Sequence, residues 1–145
     1  MNEFVKSIEV RWADLDPNFH VRHSVYYDWG AYSRICFFQA LGVTTGILLE
    51  HSVGPILFRE ECIFKKEIHF SDKLHIDLLL IKSREDYSRW SIRHSIYKNT
   101  DTLAAIITVD GAWIDTHKRK LAVPPAIVLK MIAQMPKSPD FEWVK

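Results

Sequence analysis

The chain is 145 residues long and 48% hydrophobic, and its 19 basic and 18 acidic residues leave a formal charge of +1. That length suits one domain rather than two, and a domain of this size buries roughly 68–70% of its unfolded surface, so folding requires neither disulfides nor a structural metal. The near-zero charge argues against nucleic acid or an anionic membrane as partner, and there is no run of about 18 apolar residues to span a bilayer.

Glu3, Lys6 and Glu9 interrupt the first ten residues, so no signal peptide is read there and a cytoplasmic location is expected. Cys36 and Cys62 lack the paired spacing of a zinc or redox site and read as two buried, reduced thiols. Residues 4–12 read as a first strand, followed by a proline-containing loop from Ala13 to His23. Residues 24–41 read as a buried helix, since only Asp28 and Arg34 carry charge and apolar side chains occur on nearly every side of the helical wheel. Ser24 is its expected N-cap and Gly42 its stop.

A short helical or irregular piece follows from Thr44 to Glu50. Residues 55–69, 73–82, 87–98 and 102–115 then read as strands, with alternation clearest in Leu74, Ile76, Leu78 and Leu80. The last of these is apolar on both faces, which predicts a central strand covered on both sides. The run His117-Lys118-Arg119-Lys120 reads as a solvated turn. Pro124 and Pro125 open a final short helix, and residues 136–145 read as a loose tail behind one domain spanning 1–135. One strand, a long helix and a strand meander predict an α+β fold with an antiparallel sheet wrapped around the helix.

The chemistry concentrates between Val10 and Trp29, where Asp14, Asp16, His20 and His23 precede the helix. Such groups are expensive to bury unless something uses or satisfies them. The first amides of a helix have no intrahelical partner and present positive character, so a thioester carbonyl placed there would be polarised and its oxyanion stabilised. A loop carboxylate just upstream would supply the attack, either on the carbonyl directly or by activating water. A thiolate leaves readily, because thiol pKa values lie near about 8.5.

Asp16-Pro17, His20-Val21, His23-Ser24 and Tyr26 or Tyr27 resemble the loop and helix start of the hotdog-fold thioesterases, the group of 4-hydroxybenzoyl-CoA thioesterase and acyl-CoA thioesterases. The resemblance implies a hotdog fold, hydrolysis of an acyl-CoA or acyl-carrier thioester, Asp16 as the catalytic carboxylate, the His23 amide as carbonyl donor, and His20 as an orienting group. It also implies a homodimer or a dimer of dimers whose acyl site lies at the subunit interface. Phe19 departs from the pattern, standing where many relatives have glycine; a positive φ there is unfavourable for phenylalanine.

Val25, Tyr26 and Tyr27 are candidate acyl-pocket residues, and Lys65 and Arg89 are candidates for the CoA end, with Lys66 and Arg84 as further basic groups of the right type. Asp28 is a reserve carboxylate, while Glu60 and Glu61 point to opposite faces and read as surface pairs. His69, His75 and His94 read as structural histidines. No metal or organic cofactor is expected. A metal hydrolase using Asp14, Asp16, His20 and His23 has the right donor types, but four ligands in one short loop would not converge without help from distant groups. The remaining alternative is a non-catalytic hotdog protein that binds an acyl or aromatic ligand or a protein partner.

Overall fold

The computed structural model describes residues 3–145. Strand β1 (Val5–Ile8) is shorter than the sequence predicts, because Trp12–Asp14 winds into a 3-10 turn. Helix α1 (Val25–Ala40) and the short α2 (Thr45–Glu50) follow. Then come β2 (Val53–Phe64), β3 (Leu74–Asp77), β4 (Leu79–Arg84), β5 (Arg89–Lys98), β6 (Thr102–Asp115), β7 (Lys120–Leu121), α3 (Ala126–Ala133) and β8 (Lys137–Val144). The expected strand over 73–82 is interrupted at Leu78, which separates β3 from β4.

These strands make one curled sheet in an α+β hotdog architecture. β5 lies centrally, with β6 on one edge and β3 and β4 in succession on the other. β1 extends the sheet beyond β3, and β2 extends it beyond β6. All pairings are antiparallel except that of β8, which runs parallel to β4. Residues 137–144 are therefore a sheet strand, not the loose tail expected; Phe141 packs against the core and Ser138 is buried.

Helix α1 buries Val25, Tyr26, Trp29, Gly30, Ser33, Arg34, Phe37 and Phe38, the spacing of a single face. That face packs on the sheet, and the missing side chain of Gly30 leaves room for the Arg34 guanidinium, the His94 ring and Ile107. Asp28, Ala31 and Tyr32 remain exposed, so the helix is covered on one side only within this chain. The opposing core is formed by Ile76, Leu78, Leu80, Ile92, Ile96, Ile107 and Val109, each contributing roughly 1.5–3 kcal/mol by leaving water. β6 is central, but Ile106, Thr108 and Asp110 on its second face are only half-buried.

The helix ends follow local chemistry. Gly42 has φ +84, and its N–H donates to the Gln39 carbonyl at 3.0 Å while that of Val43 donates to the Phe38 carbonyl at 2.9 Å, the paired closure that a left-handed residue permits. Ser24 stands at the N-cap position without capping by its side chain; its Oγ instead accepts from Arg22 Nε at 3.2 Å. Cys36 and Cys62 are free thiols, half-buried rather than buried. Among the described residues, no helix is long and apolar enough to cross a membrane.

Candidate active site

The segment from Leu15 to Val21 closes on itself. Asp16 N–H donates to the His20 carbonyl at 2.8 Å and Phe19 N–H to the Asp16 carbonyl at 2.9 Å, with Leu15 bridged to Val21. Pro17 supplies the fixed φ of the turn. The Asp16 carboxylate organises the interior: Oδ1 accepts from the Asn18 amide at 2.8 Å and the His20 amide at 3.1 Å. Among the described residues, no partner bonds Oδ2. Phe19 does adopt a positive φ, +63, in the position where glycine would be unstrained. The loop therefore keeps the conformation that its sequence disfavours, at a cost of order 1–2 kcal/mol.

Asp14 serves this loop from behind. It is buried, its Oδ1 accepting from the Arg11 side chain at 2.7 and 3.0 Å and its Oδ2 from the Arg11 amide at 2.8 Å. Burial pushes its carboxyl up, but the bonds from Arg11 outweigh that and hold it below the ordinary carboxylate value.

A second segment completes the site. At Phe64 the chain leaves the sheet, Lys65 and Lys66 amides both donating to the Ala104 carbonyl at 2.8 and 3.0 Å, and the following residues fold back beside the loop. Val21 N–H donates to the Ile68 carbonyl at 2.8 Å, and His20 bridges His69. Residues 65–69 are thus not the continuation of a long strand, and their side chains reach a place that strand alternation does not foretell.

Between the two segments lies a cleft of about 620 Å³ lined by Asp16, His20, His23, Tyr26 and Lys65, together with Val21, Phe64, Lys66, Glu67, His69 and Lys98. Six of the residues singled out from sequence, Lys66 included, therefore share one cavity. Val25, Tyr27 and Arg89 do not line it: Val25 and Tyr27 sit about 100° either side of Tyr26 on the helix, and Arg89 lies over the Phe58 ring at 5.0 Å. Asp28, on the exposed side of α1, opens instead onto a separate cleft with Arg11, Glu9 and Tyr32. Glu61 pairs with Arg59.

Glu67, His69 and Lys98 are members that sequence reasoning missed. His69 in particular is half-exposed in the cleft rather than a satisfied structural histidine. His20 Nε2 lies 3.0 Å from Glu67 Oε2, and the His20 and His69 rings meet edge to face at 4.9 Å. Lys98 Nζ donates to the Glu67 carbonyl at 2.7 Å. Tyr26 is buried at the cleft's inner wall, where burial first, then the neighbouring Cys62 and Asp16, push its phenol up to about 12, so it stays a neutral hydroxyl. Among the described residues, the backbone N–H groups of His23 and Ser24 have no acceptor, as the first amides ahead of α1.

This arrangement gathers the Asp16 carboxylate, the neutral Tyr26 phenol, Lys65, Lys66 and His23, whose amide has no acceptor among the described residues, around one opening. It can hold a carbonyl, attack it, and receive an anionic carrier. Residues 10–132 match the family model of the thioesterase-like superfamily. A protein of Staphylococcus aureus solved in complex with CoA is 19% identical, over 99% of this chain and 90% of that one, with a TM-score of 0.86. A 1,4-dihydroxy-2-naphthoyl-CoA thioesterase from Synechocystis is 16% identical over 92% and 97%, with a TM-score of 0.81. A DHNA-CoA thioesterase from Staphylococcus aureus is 19% identical over 85% and 81%, with a TM-score of 0.76. Identities this low establish the shared fold. No curated protein matches the chain in sequence.

Proposed function

Since the chain belongs to the thioesterase-like superfamily, and is thereby a thioester hydrolase, we propose that it cleaves an acyl-CoA thioester with Asp16 as the attacking or water-activating carboxylate. The observation that carries this reading is the division of labour in Asp16. One oxygen is held by two backbone amides, which fixes the side chain, and the other is left for chemistry in the cleft it shares with His23.

In the proposed reaction the thioester carbonyl oxygen lies against the amides at the start of α1, with His23 as the first donor. Asp16 either adds to the carbonyl carbon, expelling the thiolate and leaving a mixed anhydride that water cleaves, or takes a proton from water as that water adds. In both routes the C–S bond breaks, the acid and the thiol are the products, and no metal or organic cofactor takes part. His20, tied to Asp16 through its amide and to Glu67 through its ring, orients the loop. Tyr26 and Phe64 are assigned to the wall of the acyl group and Lys65 and Lys66 to the CoA phosphates, all four lining the cleft, while Lys98 is engaged by the Glu67 carbonyl and Asp72. The likeness to a CoA-bound staphylococcal protein supports CoA as the carrier, with an acyl-carrier protein as the second possibility.

The test is thiol release over a panel of aliphatic and aromatic acyl-CoAs. Asp16→Asn keeps an oxygen for the Asn18 and His20 amides while removing the charge, so the fold should persist by far-UV circular dichroism. The expected loss in kcat/KM is at least about a hundredfold, the scale of a general base. If no acyl-CoA is hydrolysed faster than in buffer, and Asp16→Asn alters only ligand affinity, the chain is a binding protein.

A further inference from the structure

We propose that His20, Glu67 and His69 form a binding site for a divalent cation of the zinc class at the mouth of the cleft. One ligand atom from each lies within 4.8 Å of the other two. A tetrahedral zinc ion with bonds of about 2.0–2.1 Å needs its ligand atoms roughly 3.4 Å apart. His20 Nε2 and Glu67 Oε2 already stand 3.0 Å apart, so only a modest rotation of the His69 ring or the Glu67 side chain closes the set.

The backbone enforces the convergence. His20 and His69 are bridge partners, which sets their side chains beside each other, and Glu67 is two residues before His69 on the same returning segment. Asp72 holds His69 in turn: its Oδ2 accepts the His69 amide at 2.8 Å and lies 3.7 Å from Nδ1. That assigns Nε2 to the ion and leaves a carboxylate near Nδ1, which a small approach would turn into the hydrogen bond that fixes ring orientation and raises ligand basicity. Two imidazoles and one carboxylate suit zinc, nickel or copper and disfavour magnesium and calcium, which take oxygen donors. The neighbouring lysines oppose a cation, but Lys98 is committed to the Glu67 carbonyl at 2.7 Å and to Asp72 at 3.5 Å.

Four ligands within the 14–23 loop would not converge; the structure brings Glu67 and His69 from elsewhere and turns Asp14 away toward Arg11. The ligand set excludes Asp16, so metal binding stands or falls independently of thioester hydrolysis. An ion here takes His20 from its pairing with Glu67 and has an open position in the cleft that Asp16 also lines.

Calorimetric titration of the tag-free, chelator-stripped full chain with Zn²⁺ tests this. The expected result is one ion per chain with micromolar or tighter Kd, and no binding of Mg²⁺ under the same conditions. Glu67→Gln, which keeps size and polarity, and His69→Ala should each weaken Zn²⁺ binding at least about a hundredfold, and Asp72→Asn by about tenfold as a supporting residue. Asp28→Asn, in the separate cleft on the exposed side of α1, should leave Kd unchanged. Absence of Zn²⁺ binding in the folded wild-type chain overturns the proposal, as does binding that survives both Glu67→Gln and His69→Ala.

Discussion

His94 is fully buried, with Nδ1 2.8 Å from the Asp77 carbonyl and Nε2 3.1 Å from Arg34 Nη1. The ring is therefore neutral, donating from Nδ1 and accepting the guanidinium at Nε2. Burial first, then the Arg34 charge, push its pKa down to about 3, against 6.5 in the open chain. Unfolded chains take up this proton below about pH 6.5 and folded ones do not, so the stabilising effect is complete above that pH and is lost as pH falls toward 3. The slope for one proton is at most about 1.4 kcal/mol per pH unit. Thermal unfolding should thus show a lower Tm at pH 5 than at pH 7, with a shallower dependence in His94→Gln; an unchanged dependence refutes the account. Asp16 and Phe19 illustrate two other outcomes at this scale. The Asp16 carboxylate closes its own loop and lines the cleft, whereas Phe19 accepts φ +63 because the bonds of Asp16 with Asn18 and His20 over-determine the turn.

At the scale of elements, α1, β5 and β6 fall within a residue or two of their expected spans: α1 and β6 because long, nearly uncharged apolar runs end at turn residues, and β5 because Trp90, Ile92 and Ile96 alternate. It failed where chain direction depends on a distant partner. Residues 65–69 continue the segment read as a strand, yet leave the sheet where the Lys65 and Lys66 amides both turn to the Ala104 carbonyl. Residues 137–144 carry Pro139 and mixed polarity, yet pair with β4 through four residue pairs, Leu80 with Lys137 among them. At about 0.5–1.5 kcal/mol net per hydrogen bond, and with Phe141 packed against the core, removal of everything beyond Met135 should cost more than about 2 kcal/mol. Urea denaturation measures this directly, and an unaltered midpoint would restore the loose-tail description.

At the scale of the whole molecule, β2 is paired with β6 on one edge, and among the described residues has no strand on the other. Leu57, Phe58, Ile63 and Phe64 are exposed along it. An unpaired edge of this length, with apolar side chains on both sides of the charged Arg59-Glu60-Glu61 run, is a template for association, and two copies of β2 would extend the sheet and bring a second chain close to Phe64 in the cleft. The chain is therefore expected to sediment as a dimer in analytical ultracentrifugation, and Ile63→Lys to shift it toward monomer; a wild-type monomer would remove the interface. By itself the sequence determined the α+β class, the long helix, the central strand and the loop carrying Asp16, because helix and strand periods, turn residues and carboxylate chemistry act over a few neighbouring positions. Only the tertiary structure decided that Glu67 and His69 stand beside His20, that Val25 and Tyr27 turn away from the cleft, and that the last residues form a strand. Those outcomes depend on hydrogen bonds and packing between segments far apart in the chain, whose closure leaves no periodic mark on either segment alone.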